Sequence, residues 1–124
     1  MKILVAEDEQ IMATAIEHKL SSEGYEVLVV SDGREALKAV DAFNPDLIIT
    51  DILMPLTSGL ELIGIVKARP DKKTPIIVLS AMGQEATVLE AFELGADDFL
   101  TKPFNPTELS MRVKRFAVKK KIKG

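Results

Sequence analysis

The sequence predicts an α/β fold, a parallel sheet of five strands with helices on both faces. Three observations carry this. Short apolar runs alternate five times with segments of helical spacing. The first four runs are Leu-rich or β-branched and do not alternate with polar residues, as strands covered on both faces require. Gly, Asn and Pro stand at the junctions where helices would start or stop.

Each element follows in order. Ile3-Leu4-Val5-Ala6 is the first strand. Ile11, Met12, Ala15, Ile16 and Leu20 form the stripe of the first helix, and Gly24 follows as a left-handed stop. Val27-Leu28-Val29-Val30 is the second strand; Ser31-Asp32-Gly33 then opens a helix striped by Ala36, Leu37, Val40 and Phe43. Asn44-Pro45 ends that helix, because the residue before a proline avoids helical backbone. Leu47-Ile48-Ile49 is the third strand, with Leu62, Ile65 and Val66 in the helix after it. Thr74-Pro75 resets the chain for Ile76-Ile77-Val78-Leu79. A fourth helix shows Val88, Leu89 and Phe92 and stops at Gly95. Asp98-Phe99-Leu100 is the weakest strand signal. Asn105-Pro106-Thr107 starts the last helix, which carries Leu109, Val113, Phe116 and Ala117.

Composition narrows the function classes. The 124 residues suit one domain with a single core, and 47% hydrophobic residues indicate a folded chain. The absence of cysteine excludes disulfides and thiolate metal sites, and fits a reducing compartment such as the cytoplasm. No apolar run approaches the roughly 20 residues that span a bilayer, and the first residues do not resemble a signal peptide. The net charge of −3 is uneven: Arg112 to Gly124 holds seven basic residues and no acid. Such a run reads as the solvated end of the last helix. The alternatives are a linker into a partner domain or a surface for an acidic partner.

In a parallel α/β sheet, ligands sit beyond the carboxyl ends of the strands. Strand one ends at Glu7-Asp8-Glu9, strand two at Ser31-Asp32 and strand three at Asp51. Strand four ends at Ser80-Ala81 and strand five at Thr101-Lys102-Pro103. Three converging carboxylates repel one another unless a cation joins them. Oxygen donors without His or Cys suit magnesium or calcium. A metal, a lysine and a hydroxyl together can hold a phosphoryl group, with Asp51 as the nucleophile. Gly59 could relieve crowding at a helix start, and Phe99 taken alone reads as core. His18 reads as a surface or boundary residue.

Four segments, ILVAEDE (3–9), PDLIITDILMPLTSGLEL (45–62), PIIVLSA (75–81) and GADDFLTKPF (95–104), resemble the receiver domains of two-component response regulators across nearly the whole chain. The resemblance implies a flavodoxin-like, doubly wound (βα)5 fold with strand order 2-1-3-4-5. It implies a receiver over 1–121, with 122–124 a tail or the start of a linker. Asp51 then matches the phosphoacceptor, and Glu7 and Asp8 the acids that bind Mg2+, for which Mn2+ can substitute. Leu53 matches the position whose backbone carbonyl joins the metal. Lys102 matches the family lysine, Lys102-Pro103 a cis peptide, Ser80 the switch hydroxyl and Phe99 the switch aromatic, more often Tyr in relatives.

The implied partners are a sensor histidine kinase or phosphotransfer protein and a downstream effector or fused output domain. The domain itself would bind neither nucleic acid nor membrane, would not be a turnover enzyme, and could dimerise on phosphorylation. An alternative is a pseudo-receiver that binds or dimerises without phosphorylation; the intact acid, hydroxyl and lysine set argues against it. A flavin site would need a glycine- or hydroxyl-rich loop where Glu7-Asp8-Glu9 stands, and an aspartyl-phosphate phosphatase would need its nucleophile on strand one.

Overall fold

The computed structural model describes residues 1–54 and 56–123, with side chains described through Lys120. The chain alternates strand and helix: β1 (Lys2–Ala6), α1 (Gln10–Ser22), β2 (Glu26–Val30), α2 (Gly33–Phe43), β3 (Leu47–Asp51), α3 (Gly59–Lys67), β4 (Ile76–Ala81), α4 (Glu85–Leu94), β5 (Asp98–Lys102) and α5 (Pro106–Lys123). All strand pairs are parallel, in the order β2-β1-β3-β4-β5. The expected boundary after residue 121 falls where side chains lie outside the described residues.

Alternation along the strands splits the core into two layers. Ile3, Val5, Ile49, Ile77 and Leu79 face α1 and α5, meeting Ile16, Leu20, Leu109, Val113 and Phe116. Leu4, Ile48, Ile76 and Val78 face the other way, against Val40 of α2, Leu62 and Val66 of α3, and Val88 of α4. Each fully buried Leu, Ile or Val contributes roughly 1.5–3 kcal/mol. The two layers clamp β1, β3 and β4 from both sides and fix where their last residues stand. β5 is an edge strand in which Phe99 and Thr101 are exposed between buried Asp98 and Leu100. That alternation is why its apolar signal is faint.

Helix ends are set by local chemistry. Asp32 and Ser58 cap α2 and α3, accepting from the N–H groups of Glu35 at 2.8 Å and Glu61 at 3.2 Å. Each cap stabilises its helix by about 1 kcal/mol. Asn44 (φ 52°) and Gly95 (φ 115°) end α2 and α4 in the left-handed region.

The helix stripes differ in part from the sequence reading. Ile11 and Leu89 are 82% and 60% exposed, and Ile65 and Phe92 also reach solvent. The buried line of α1 is Ala13, Ile16 and Leu20, and that of α4 is Val88 and Ala91. Alanines let these helices approach the sheet closely, so the larger neighbours rotate outward. Among the described residues, no helix is long and apolar enough to cross a membrane.

Candidate functional site

Parallel register brings the strand ends together. Ala6 pairs with Thr50, Asp51 with Leu79 and Ala81 with Lys102. Glu7, Asp51, Ser80 and Lys102 therefore stand at adjacent ends of β1, β3, β4 and β5. Carboxylate oxygens of Glu7, Asp8 and Asp51 all lie within 4.8 Å of one another. The Lys102 ammonium reaches across them, 2.5 Å from Glu7 Oε1 and 2.9 Å from Asp51 Oδ2. The backbone N–H of Leu53 donates to Asp51 Oδ1 at 3.3 Å, and that of Glu9 to Glu7 Oε2 at 3.2 Å. The Lys102–Pro103 peptide is cis.

The electrostatics are unbalanced. Three carboxylates face one ammonium, and Glu7 is 1% exposed whereas Asp8 is open to solvent. Burial pushes the Glu7 carboxyl up to about 7, against the lowering effect of Lys102 and the Glu9 amide; the charge of Asp51 adds to the rise. Burial would lower the Lys102 ammonium, but Glu7 and Asp51 outweigh it and hold that ammonium above its usual value. Glu7 Oε1 is held by the Lys102 ammonium as an ion pair and has no other partner among the described residues. Three carboxylates, all oxygen donors, gathered against one ammonium fit a hard divalent cation of the magnesium type.

Ser80, 1% exposed, makes no hydrogen bond to this cluster among the described residues. It opens instead onto a cavity of about 400 Å³ lined by Met82, Val88, Phe92 and Phe99. Phe99 is 38% exposed and packs edge-to-face on Phe92, with ring centroids 5.8 Å apart. The single-residue reading of Phe99 as core therefore fails, because β5 turns that position outward. Leu53, Leu56 and Met82 are exposed apolar residues in the loops after β3 and β4.

Gly59 relieves crowding at a helix start, as its sequence position suggested, whereas the matching role of Gly33 was not foreseen. A Cβ on Gly59 would stand 2.3 Å from the Asp51 carbonyl oxygen, and one on Gly33 would stand 1.8 Å from that of Thr57. Two glycines at helix starts thus let α2 and α3 close on the loop after β3. Leu56 in the same loop holds φ 71°, a strained value for a leucine. Gln84 Oε1 accepts from the Ala81 N–H at 2.6 Å and ties the loop after β4 to the start of α4. Besides Gly59 itself, the D-x-x-E and S-x-x-E cap patterns near these loops were the available signal.

Comparison with known proteins agrees with the geometry. The family model described as the response regulator receiver domain matches residues 3–114. The chain is 42% identical over 115 residues to the alkaline phosphatase synthesis transcriptional regulatory protein PhoP of Bacillus subtilis (strain 168), covering 91% of this chain and 47% of that protein. The transcriptional regulatory protein ResD of the same organism is 42% identical over 114 residues, covering 91% and 46%. The chain spans about half the length of the curated relatives it matches. Among solved structures, the Francisella response regulator 1452 receiver domain superposes with a TM-score of 0.87 at 36% identity, covering 96% of this chain and 98% of that one. The chemotaxis response regulator CheY4 of Vibrio cholerae gives 0.86 at 34% identity, covering 93% and 97%. With the order β2-β1-β3-β4-β5 and the acid–lysine cluster at the strand ends, the chain belongs to the receiver domains of two-component response regulators.

Proposed function

We propose that this receiver takes a phosphoryl group from a phosphohistidine of a sensor kinase or phosphotransfer protein onto Asp51. The observation that carries the reading is Lys102 bridging Glu7 and Asp51 beside Asp8, at the ends of β1, β3 and β5. An Asp51 carboxylate oxygen attacks phosphorus. The phosphorus–nitrogen bond breaks, and the imidazole leaves with the electron pair and takes a proton. The product is an acyl phosphate. Glu7, Asp8, Asp51 and the Leu53 backbone carbonyl would hold Mg2+, which neutralises charge on the phosphoryl oxygens; Mn2+ can substitute.

The chain's own groups do the rest. The Leu53 N–H orients one oxygen of Asp51. Lys102 exchanges its bond to Asp51 for one to a phosphoryl oxygen. The Ser80 hydroxyl turns from its cavity to donate to another. Phe99 then rotates into the space Ser80 leaves, changing the face made by α4, β5 and α5. An effector or a fused output domain reads that face. We read 1–121 as the receiver and 122–124 as a tail or linker start. On this reading the domain is cytoplasmic and does not turn over an external substrate.

The test is intact mass after incubation with Mg2+ and acetyl phosphate. One phosphoryl group should add to the parent and none to Asp51→Asn or to protein in chelator. A parent that stays unmodified would point to a phosphorylation-independent binding module and sink the proposal.

A further inference from the structure

The loop that joins β4 to α4 is three residues long, Met82 to Gln84. Met82 is 80% exposed, and Gly83 holds φ 90°. No backbone hydrogen bond closes this turn among the described residues. A side chain closes it instead. Oε1 of the half-buried Gln84 accepts from the Ala81 N–H at 2.6 Å. The same side chain makes no capping bond to α4, although Gln84 stands at its N-cap. Helix capping therefore does not account for it.

The sheet fixes where that N–H points. The carbonyls of Pro75 and Leu79 accept from Ile48 and Ile52, in β3 and just after it, whereas that of Ile76 accepts from Asp97, just before β5. Backbone groups along a parallel strand face its two neighbours in turn. Odd-numbered residues of β4 thus face β3, and Ala81 is the next of that set. By then β3 has ended, at Asp51. The Ala81 N–H stands past the end of β3, on the side of the Asp51 carboxylate, with Gln84 in place of a strand partner. Ser80, Ala81, Gln84 and Phe99 also line one cavity. The Ser80 carbonyl and the Ala81 N–H share one rigid peptide plane. A loop drawn toward Asp51 therefore carries this N–H away from Gln84.

We propose that Gln84 is a positioning residue: it holds the loop after β4 in its unphosphorylated arrangement by occupying the Ala81 N–H, and yields that N–H to the phosphoryl group on Asp51. The proposal rests on phosphorylation of Asp51. A charged phosphoryl oxygen is a stronger acceptor than a carboxamide, so the exchange runs forward once the group arrives. Until then the Gln84 bond weights the resting state.

The test compares the parent with Gln84→Met, which keeps the length of the side chain and removes the acceptor. Loss of one hydrogen bond from the resting state alone should speed mass gain from limiting acetyl phosphate with Mg2+ about fivefold. A merely structural bond would leave that rate unchanged or lower it. Backbone-amide NMR gives a second readout. Before phosphorylation the Ala81 amide proton should lie at lower field in the parent than in Gln84→Met, and after it the two should coincide. Gln84→Glu keeps an acceptor at the same reach and should keep both the low-field proton and the slow rate. Equal rates in the parent and Gln84→Met, a Gln84→Glu protein as fast as Gln84→Met, or an Ala81 difference that is absent before phosphorylation or persists after it would each overturn the role of Gln84. In all of these the parent still gains its phosphoryl group, so the reading of Asp51 stands; a parent that gains none ends both.

Discussion

Replacing Gly59 by alanine tests the support beneath Asp51 directly. The glycine does not sit in the left-handed region, so backbone freedom is not what it supplies. The difficulty is space. An added methyl would stand 2.3 Å from the Asp51 carbonyl oxygen, 2.8 Å from Ile52 Cα and 2.9 Å from the Ile52 carbonyl oxygen, where ordinary contact begins at 3.4 Å. All three neighbours are backbone, so no side chain can swing aside. The loop must open by about 1 Å, straining the bond from the Gly59 N–H to the Ile52 carbonyl. Overpacking of this kind costs about 3 kcal/mol. For a domain of this size that lowers the melting temperature by about 10 °C. Because the displaced atoms belong to the proposed phosphoacceptor, a shift of about 1 Å should also slow phosphorylation up to about a hundredfold. Gly64→Ala is the control. It lies in α3 with nothing within 4 Å of its added Cβ. That change should stabilise by about 0.5–1 kcal/mol through helix propensity alone. Thermal melts and the rate of mass gain from acetyl phosphate with Mg2+ measure both effects. A Gly59→Ala protein that melts and phosphorylates like the parent would refute the packing argument.

Three other outcomes follow from the site and its surroundings. Leu53 carries no group that can hydrogen-bond an attacking water and Met82 only a weakly accepting thioether, so Leu53→Asn should hasten loss of the acyl phosphate about fivefold to tenfold, one hydrogen bond's worth; a decay of mass-detected phosphate equal to the parent's would contradict this. Lys102→Ala removes the ammonium that pairs with buried Glu7 and half-buried Asp51, and should cost the metal-free protein about 2–3 kcal/mol in urea unfolding, toward the low end for a buried pair because Asp51 opens to water. The same variant should gain more melting temperature from Mg2+ than the parent does, since a competing cation has gone; a smaller gain would argue against a shared pocket. Burial alone would raise Asp46, but the Lys120 hydrogen bond, the Lys2 amide and the charges of Lys120 and Lys72 together hold it below its usual value. Its contribution to stability is therefore present above about pH 4 and lost as pH falls through the lowered value. The stability gap between parent and Asp46→Asn should shrink as pH is taken from about 6 to 3, and a gap independent of pH would refute the assignment.

Much of the fold was legible because the sheet is covered on both faces. A strand buried from both sides writes itself as an unbroken apolar run, and β1, β3 and β4 do so. β5 does not, since its outward positions Phe99 and Thr101 are free of that constraint. The helix stripes were legible in period but not in phase. Ala13 and Ala91 carry little hydrophobic weight in a sequence, yet in the fold they mark the lines of closest approach. Ile11 and Leu89 weigh heavily in a sequence and point to solvent.

The cluster was legible for a related reason, since parallel topology sends every strand end to one edge and acids placed there must meet. Its energetics were not. Whether Glu7 or Asp8 would be the buried acid depends on the twist of one residue past β1. Burial chose Glu7, which is why its carboxyl rises to about 7 while the loop leaves Asp8 open. The contact of Gly33 with Thr57 joins residues 24 positions apart, and no local pattern announces it. Yet α2 and α3 converge there on the loop that follows Asp51, so the carboxylate is aimed by backbone packed against backbone. A carboxylate fixed in this way does not drift when side chains exchange partners around it. In the proposed transfer, Lys102 can therefore move from carboxylate to phosphate while Asp51 stays in place.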